Sequence, residues 1–358
     1  MIQYQRKLKL TKVQEAQLNT WLFHLTSVWN WAIRKIELDA RDKVYYSRKT
    51  FQNLLTGHSG KLGIPSHTIQ GMLDQTWLSW QRCFKKISRK PRFKGRRNKL
   101  NSIPFPDPIK PPLNNRVRMP LLGLVKFHKQ DIPEGKINSG RIIKRASGWY
   151  LCLNINAQPN VIPHVSDDQV GIDPGYVTLL TLSTGEKIEH PKELQNNLIR
   201  LGQAQRGINR KQVARLHERI KNQRKDRNHK ISRELVSKNQ VIAISKDNLG
   251  GLARSGFGKS VGAAAHGQLR SMLSYKCRAG GREYIEVPSK FSTMTCSTCG
   301  ARSGPTGKSG LKVRYWECNV CGTVHDRDVN AAINTLIAGL GISHESYREV
   351  ASEIREVA

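Results

Sequence analysis

The spacing of hydrophobic and polar positions changes several times along the chain, and each change predicts an element. Residues 2–10, IQYQRKLKL, alternate as a half-buried strand does. Thr11 is an N-cap residue type. After it, apolar residues recur at helical spacing through Leu18, Trp21, Leu22, Leu25, Val28, Trp29, Trp31, Ala32 and Ile36, which predicts a long helix with one core face. Further helical stretches lie around Ser47–Leu55 and from about Ser66 to Lys86, so residues 11–87 read as a helical unit inserted after a single strand. Between 102 and 156 the pattern becomes short strands separated by Pro and Gly turns, a β-barrel-like module that the first strand joins.

A linker, 158–168, leads to a second pattern. QVGIDPGYVTLLTLSTGEKIEH predicts a strand ending at Asp173, a Pro-Gly turn, a strand over 176–182, a Thr-Gly turn and a strand over 185–190. There follow a basic helical region (191–238), a buried strand (QVIAIS), a glycine-rich stretch (250–262), a helix over about 263–279 and a strand (REYIEV). A cysteine-bearing segment comes next, then a helix opening at Asp328 and an amphipathic tail, 344–358. Three antiparallel strands, helix, strand, helix, strand, helix is the order of an RNase H-like α/β fold. In that fold Asp173, ending the first strand, and Asp328, opening the last helix, meet at one sheet edge. Such carboxylates hold divalent ions about 3.5–4 Å apart for phosphodiester hydrolysis. Hard oxygen donors suit magnesium or manganese. An Asp before Pro-Gly is otherwise a turn residue, and Asp326 or Asp328 could merely cap the helix.

Composition adds a partner. Sixty Lys and Arg against 27 Asp and Glu give a formal charge of +33. Bases spread over the whole chain favour an extended nucleic-acid groove. The densest run is 85–99, KKISRKPRFKGRRNK, where Pro91, Phe93 and Gly95 interrupt the bases. Lys90, Arg92, Lys94, Arg96 and Arg97 are candidate phosphate contacts, with Phe93 a candidate base-stacking ring. Arg224 and Lys225, in the 205–233 stretch, are further candidates. No apolar run is long enough to span a membrane. MIQYQRKLKL lacks the apolar core of a signal peptide, so a reducing, cytoplasmic compartment is expected. There, Cys296–Cys299 and Cys318–Cys321, two CxxC pairs eighteen residues apart, predict a four-cysteine zinc ribbon in preference to disulfides. Gly300 and Gly322 suit the turn of each knuckle, and a closed four-thiolate site makes the zinc structural. Cys83, Cys152 and Cys277 read as small buried hydrophobes.

GIDPG, the CSTCG…CNVCG ribbon and HDRDVNAAINTL, in this order, resemble the transposon-encoded TnpB (OrfB) proteins, compact relatives of type V CRISPR effector nucleases. The resemblance implies a wedge domain (1–10 and 88–160), a helical recognition domain (11–87), a RuvC-like nuclease domain (161–293 and 324–342), the zinc ribbon (294–323) and a tail (343–358). KPRFKGRR is similar to the family's basic segment. It also implies a guide RNA, a double-stranded DNA target beside a short motif, a prokaryotic nucleoid setting, and Asp173 and Asp328 as catalytic carboxylates. Asp326 is then a capping or supporting residue.

One departure leaves the third carboxylate open. Ser245 and Lys246 stand where the family pattern has Glu-Asp. Glu286, just before the ribbon, resembles the displaced glutamate of one family branch and is the first choice for catalysis and magnesium binding. Its ordinary reading is an exposed strand residue facing a base. Asp247 would lie roughly 7 Å further along its strand than Ser245. The third reading is a guided DNA-binding repressor that does not cut. The glycine-rich stretch, 250–262, reads equally as a lid or a plain loop.

Overall fold

The computed structural model describes residues 2–349 apart from 97, 130–131, 158–161, 164–165, 167, 247–261, 263 and 311. Arg97, Asp247, most of the linker, nearly all of the glycine-rich stretch and the end of the tail therefore lie outside the described residues. The chain forms two compact units, 1–159 and 160–358.

In the first unit, strand β1 (Ile2–Lys9) is followed by helices α1 (Lys12–Arg41), α2 (Arg48–Gln52), α3 (Ser59–Leu62) and α4 (Ser66–Phe84). Strands β2 (Ser102–Phe105), β3 (Arg116–Met119), β4 (Gly123–Phe127), β5 (Lys136–Arg145) and β6 (Gly148–Asn156) complete it. Their order is β2-β5-β6-β1-β4-β3, so the first strand sits inside the sheet between β6 and β4. Thr11 opens α1 with a reciprocal cap: its hydroxyl accepts from the Gln14 N–H and the Gln14 side chain accepts from the Thr11 N–H, both at 3.2 Å. The buried face of α1 includes Ile33 and omits Trp31, which is 38% exposed. At 3.6 residues per turn, position 31 rotates off the ridge that 25, 28, 29, 32 and 36 share.

The second unit holds strands β7 (Asp168–Pro174), β8 (Leu180–Leu182) and β9 (Lys187–Ile188), then helices α5 (Lys192–Arg206) and α6 (Arg210–Lys238). Strand β10 (Asn239–Lys246), helix α7 (His266–Gly280) and β11 (Glu283–Pro288) follow. The ribbon segment carries α8 (Gly307–Gly310), β12 (Tyr315–Glu317) and β13 (Val324–Asp326), and α9 (Arg327–Leu340) comes last. The five-stranded sheet runs β11-β10-β7-β8-β9, with β11, β10 and β7 parallel and β8 and β9 antiparallel.

Three boundaries differ from the periodicity. Strand β8 is shorter than 176–182 because the Gly175 N–H bonds to the Leu179 carbonyl and holds the intervening residues in a turn. The basic helical region breaks at Ile208, which has φ +52, and Asn209 caps α6 by accepting from the Gln212 N–H. The two arms then pack through Leu201, Ala204, Leu216 and Ile220. Helix α7 begins at His266, since Ala265 is left-handed.

Alternation along β7 and β10 sorts the sheet into two faces. Ile172, Ile242 and Ile244 join Leu235 and Val236 of α6 and Leu269, Leu273 and Cys277 of α7 in one core. The opposite face is covered by α9. A Cβ built on Gly171 of β7 would fall 2.1 Å from the Ala332 carbonyl oxygen, and one on Gly339 would fall 2.6 Å from the Ala243 Cβ. Strand and helix backbones therefore meet with no room for a side chain.

Candidate active site and metal centre

The four cysteines converge. Their Sγ atoms all lie within 4.8 Å of one another, with Cys296–Cys321 at 3.6 Å and Cys299–Cys318 at 3.7 Å. A disulfide would bring sulfurs to about 2.05 Å. Four thiolates about 2.3 Å from a central ion form a tetrahedron with edges near 3.8 Å, so the donor set fits a closed metal site. Each knuckle is built alike. The Gly300 N–H bonds to the Cys296 carbonyl and the Gly322 N–H to the Cys318 carbonyl, both at 2.9 Å, with both glycines at positive φ. The Ser303 hydroxyl donates to Cys318 Sγ at 3.1 Å and brings that thiol down to about 6, whereas burial pushes Cys296 up to about 12. Outside the ribbon, Cys152 and Cys277 are buried and Cys83 is half-buried against the first core.

Residues without a metal-binding signature fasten this centre to α9. Asn330 accepts from the Ser297 N–H at 2.8 Å and donates to the Thr295 carbonyl at 2.8 Å. One turn on, Asn334 donates to the Thr295 and Ser292 carbonyls at 2.6 and 2.8 Å. Behind the knuckle, His325 packs on Trp316 and places Nε2 3.0 Å from Cys296 Sγ. The signal for the asparagines is two amides spaced i, i+4 among the apolar residues of the α9 core face. The sequence reading left both unassigned.

The carboxylates are held separately. Asp173, next to last in β7, lies on the α9 side of the sheet and accepts from the Ser245 hydroxyl at 3.2 Å. Asp326 caps α9, accepting from the Asp328 and Val329 N–H groups at 3.0 and 3.1 Å, while Lys187 donates to its other oxygen at 2.6 Å. That frees Asp328 from capping, so its carboxylate projects from the first helical turn toward Arg314, at 3.4 Å. Glu286 is level with Ile244 of β10, which is level with Ile172 of β7. Its side chain thus leaves the sheet on the face that α6 and α7 cover, opposite Asp173. There Lys246 Nζ lies 2.5 Å away and the Tyr284 hydroxyl donates at 3.0 Å. The Lys246 contact holds the Glu286 carboxyl below the usual carboxylate range. Among the described residues, no three carboxylates approach one another as the cysteines do.

The basic run is fixed by its backbone. Trp29 Nε1 donates to the Arg92 carbonyl at 3.1 Å, and the Asn30 side chain bonds both the N–H and the carbonyl of Lys94. Arg92, Phe93 and Arg96 are left exposed. Lys94 lies over the Trp29 ring, and Lys90 is paired with Glu37 at 2.6 Å. On α6, Lys225 is exposed and Arg224 half-buried. No helix among the described residues is long and apolar enough to cross a membrane.

This arrangement has relatives. Residues 155–256 match the OrfB_IS605 family model, described as a probable transposase, and 266–335 match the Cas12f1-like TNB domain. A Streptomyces pristinaespiralis protein named "Putative RNA-guided DNA endonuclease" is 35% identical over 298 residues, covering 78% of this chain and 73% of that protein. InsQ of Escherichia coli strain K12, under the same designation, is 28% identical over 305 residues, 77% and 75% of the two chains. A Cas12f1 chain, solved in complex with sgRNA and target DNA, superposes with a TM-score of 0.58 at 14% identity, over 91% of this chain and 83% of that one. This last likeness is one of fold.

Proposed function

The chain belongs to the OrfB (TnpB) family of transposon-encoded proteins, and from that premise we propose that it is an RNA-guided, metal-dependent DNA endonuclease. The observation that supports the reading is that Asp173, near the carboxyl end of β7, lies on the sheet face that α9 covers, while Asp328 stands in the first turn of α9. In this reading the second unit holds a RuvC-like nuclease domain of RNase H topology (161–293 and 324–342). The ribbon, 294–323, is closed on a structural zinc ion, and residues 343–358 are a tail. Wedge (1–10 and 88–160) and recognition (11–87) domains occupy the first unit.

Asp173 and Asp328 are hard oxygen donors suited to magnesium or manganese. Such ions, when bound, activate water and stabilise the leaving oxygen of a phosphodiester. The protein's own part is positioning. Close packing of β7 on α9 at Gly171 sets the distance between the strand end and the helix start. Asp326 takes the capping duty and leaves Asp328 available. Ser245 orients Asp173, and Arg314 supplies a positive charge beside Asp328 that a substrate phosphate can take over. Glu286 is the proposed third carboxylate, and to serve it must leave Lys246 and turn around the end of β11. Base pairing between guide RNA and target supplies sequence specificity, while Arg92, Phe93, Arg96 and the α6 bases hold the strands.

A second reading has one observation in its favour. The side chain beside Asp173 is Ser245, and Glu286 faces the other side of the sheet. A protein so built could bind its guided target without cutting.

Cleavage of a guided duplex in Mg²⁺ separates the readings. Wild type is expected to cut, and Asp173→Ala and Asp328→Ala to bind without cutting. If Glu286→Ala cuts as fast as wild type, that residue is not a ligand. Tight guided binding by wild type with no cleavage would establish the second reading.

A further inference from the structure

Between α6 and the segment that follows β9 lies a cavity of about 450 Å³, lined by Ile188, Pro191, Arg224, Arg227, Lys230 and Ile231 together with Glu189, Gln223 and Asp226. Its floor is unusual for a stable protein core. Arg224 and Arg227, at i and i+3, stand on one ridge of α6. Neither guanidinium has a carboxylate within 4 Å among the described residues. The acids of the cavity have other partners: Asp226 pairs with Lys230, also in the lining, at 2.9 Å, and Glu189 accepts from the Thr178 hydroxyl at 3.3 Å. Arg224 Nε and Arg227 Nη1 are buried without a hydrogen-bond partner among the described residues. Arg227 is held along one edge, its Nε and Nη2 donating to the Asn228 side chain and its Nη2 also to the Ala264 carbonyl. Burial, then the repulsion of Arg224, brings Arg227 down to about 10.

Two half-buried like charges with unsatisfied donors cost stability unless something else brings the opposite charge. The forked donors of arginine match the oxygens of a phosphate. The rest of the lining is apolar enough, through Ile188, Pro191 and Ile231, to take a sugar or base face. We propose that this cavity is a nucleotide socket, in which Arg224 and Arg227 grip one backbone phosphate of a bound nucleic-acid strand. The proposal rests on the reading that the chain binds nucleic acid, and it narrows the basic surface of α6 to one built site.

The test uses the full-length chain and three labelled probes of about 20 nucleotides: a single-stranded RNA, the DNA of the same sequence, and their RNA–DNA hybrid. Arg224→Gln is the principal variant, because the Arg224 Nε has no hydrogen bond to a described residue for its loss to break. Arg219→Gln, exposed on the same helix, is the charge-matched comparison. Arg224→Gln is expected to weaken binding about tenfold and to lower the slope of log affinity on log salt by about 0.7–0.9, one phosphate's share. Arg219→Gln is expected to lose about twofold. Loss confined to the RNA probes assigns the socket to the guide, and loss confined to the DNA probe to the target. Equal small losses in both variants would overturn the socket and leave only diffuse attraction. If wild type binds all three probes but never cuts a guided duplex, the nuclease reading fails and the socket still stands. If guided cutting is normal and Arg224→Gln binds like wild type, the socket alone is wrong.

Discussion

Gly171→Ala tests the geometric core of the proposed site without touching a charge. The added Cβ would lie 2.1 Å from the Ala332 carbonyl oxygen, 2.8 Å from the Leu336 Cβ and 2.9 Å from the Leu336 nitrogen. Ordinary contact begins at 3.4 Å, so α9 must move back by about 1.3 Å (3.4 − 2.1). Two of the three obstructing atoms are helix backbone, and no rotamer change relieves them. Overpacking of this kind costs about 1–3 kcal/mol. For a unit of this size each kcal/mol lowers Tm by about 2–4 °C, so a drop of several degrees is expected in a thermal melt. Ala332 is one turn beyond Asp328, so the same retreat shifts Asp328 relative to Asp173. A displacement of about 1 Å at reacting groups can cost about 100-fold in rate. Guided cleavage should therefore fall about 100-fold while guided DNA binding persists. Gly202→Ala is the comparison, since its Cβ meets only the end of the Arg206 side chain at 3.6 Å. It should be neutral or more stable by up to about 1 kcal/mol, being a helix-interior glycine. A Gly171→Ala protein that melts and cuts like wild type would refute the packing argument.

Asn330→Ala leaves the buried Ser297 N–H without its acceptor and should destabilise the second unit by about 1–3 kcal/mol in denaturant titration; no change would mean the ribbon is anchored otherwise. Cys318→Ser should reduce bound zinc from about one ion per chain to well below that by elemental analysis, with new protease sensitivity between 294 and 323. Unchanged zinc content would contradict the four-thiolate site. The Lys90 contact holds the Glu37 carboxyl below its ordinary range. A depressed carboxylate stabilises the fold above its unfolded pKa, and that contribution disappears as pH falls through the folded value. The Tm advantage of wild type over Glu37→Gln should therefore be present at neutral pH and shrink below about pH 4. An advantage that persists in acid would show that Glu37 acts by packing alone.

Much of this was legible in the chain. The alternation of IQYQRKLKL, the Thr11 cap, the CxxC pairs with their following glycines and the order of the second-unit elements are local signals, readable because backbone sterics and side-chain period act over a few residues. A cap at the start of α9 was also readable, and the resemblance assigned it to Asp326, which accepts from the Asp328 and Val329 N–H groups. Other features arise only when distant segments meet. Trp31 seemed part of the α1 core until the helix rotation fixed which ridge faced inward. Asn330 and Asn334 look like ordinary polar residues until the first knuckle presents its backbone to them. Arg227 was one base among sixty until α6 brought it beside Arg224 in a cavity. Glu286 shows the limit most plainly. Its position on the strand that leads into the ribbon suggested a nearby carboxylate, but strand register decides the face, and a register is a pairing between strands that no single strand contains.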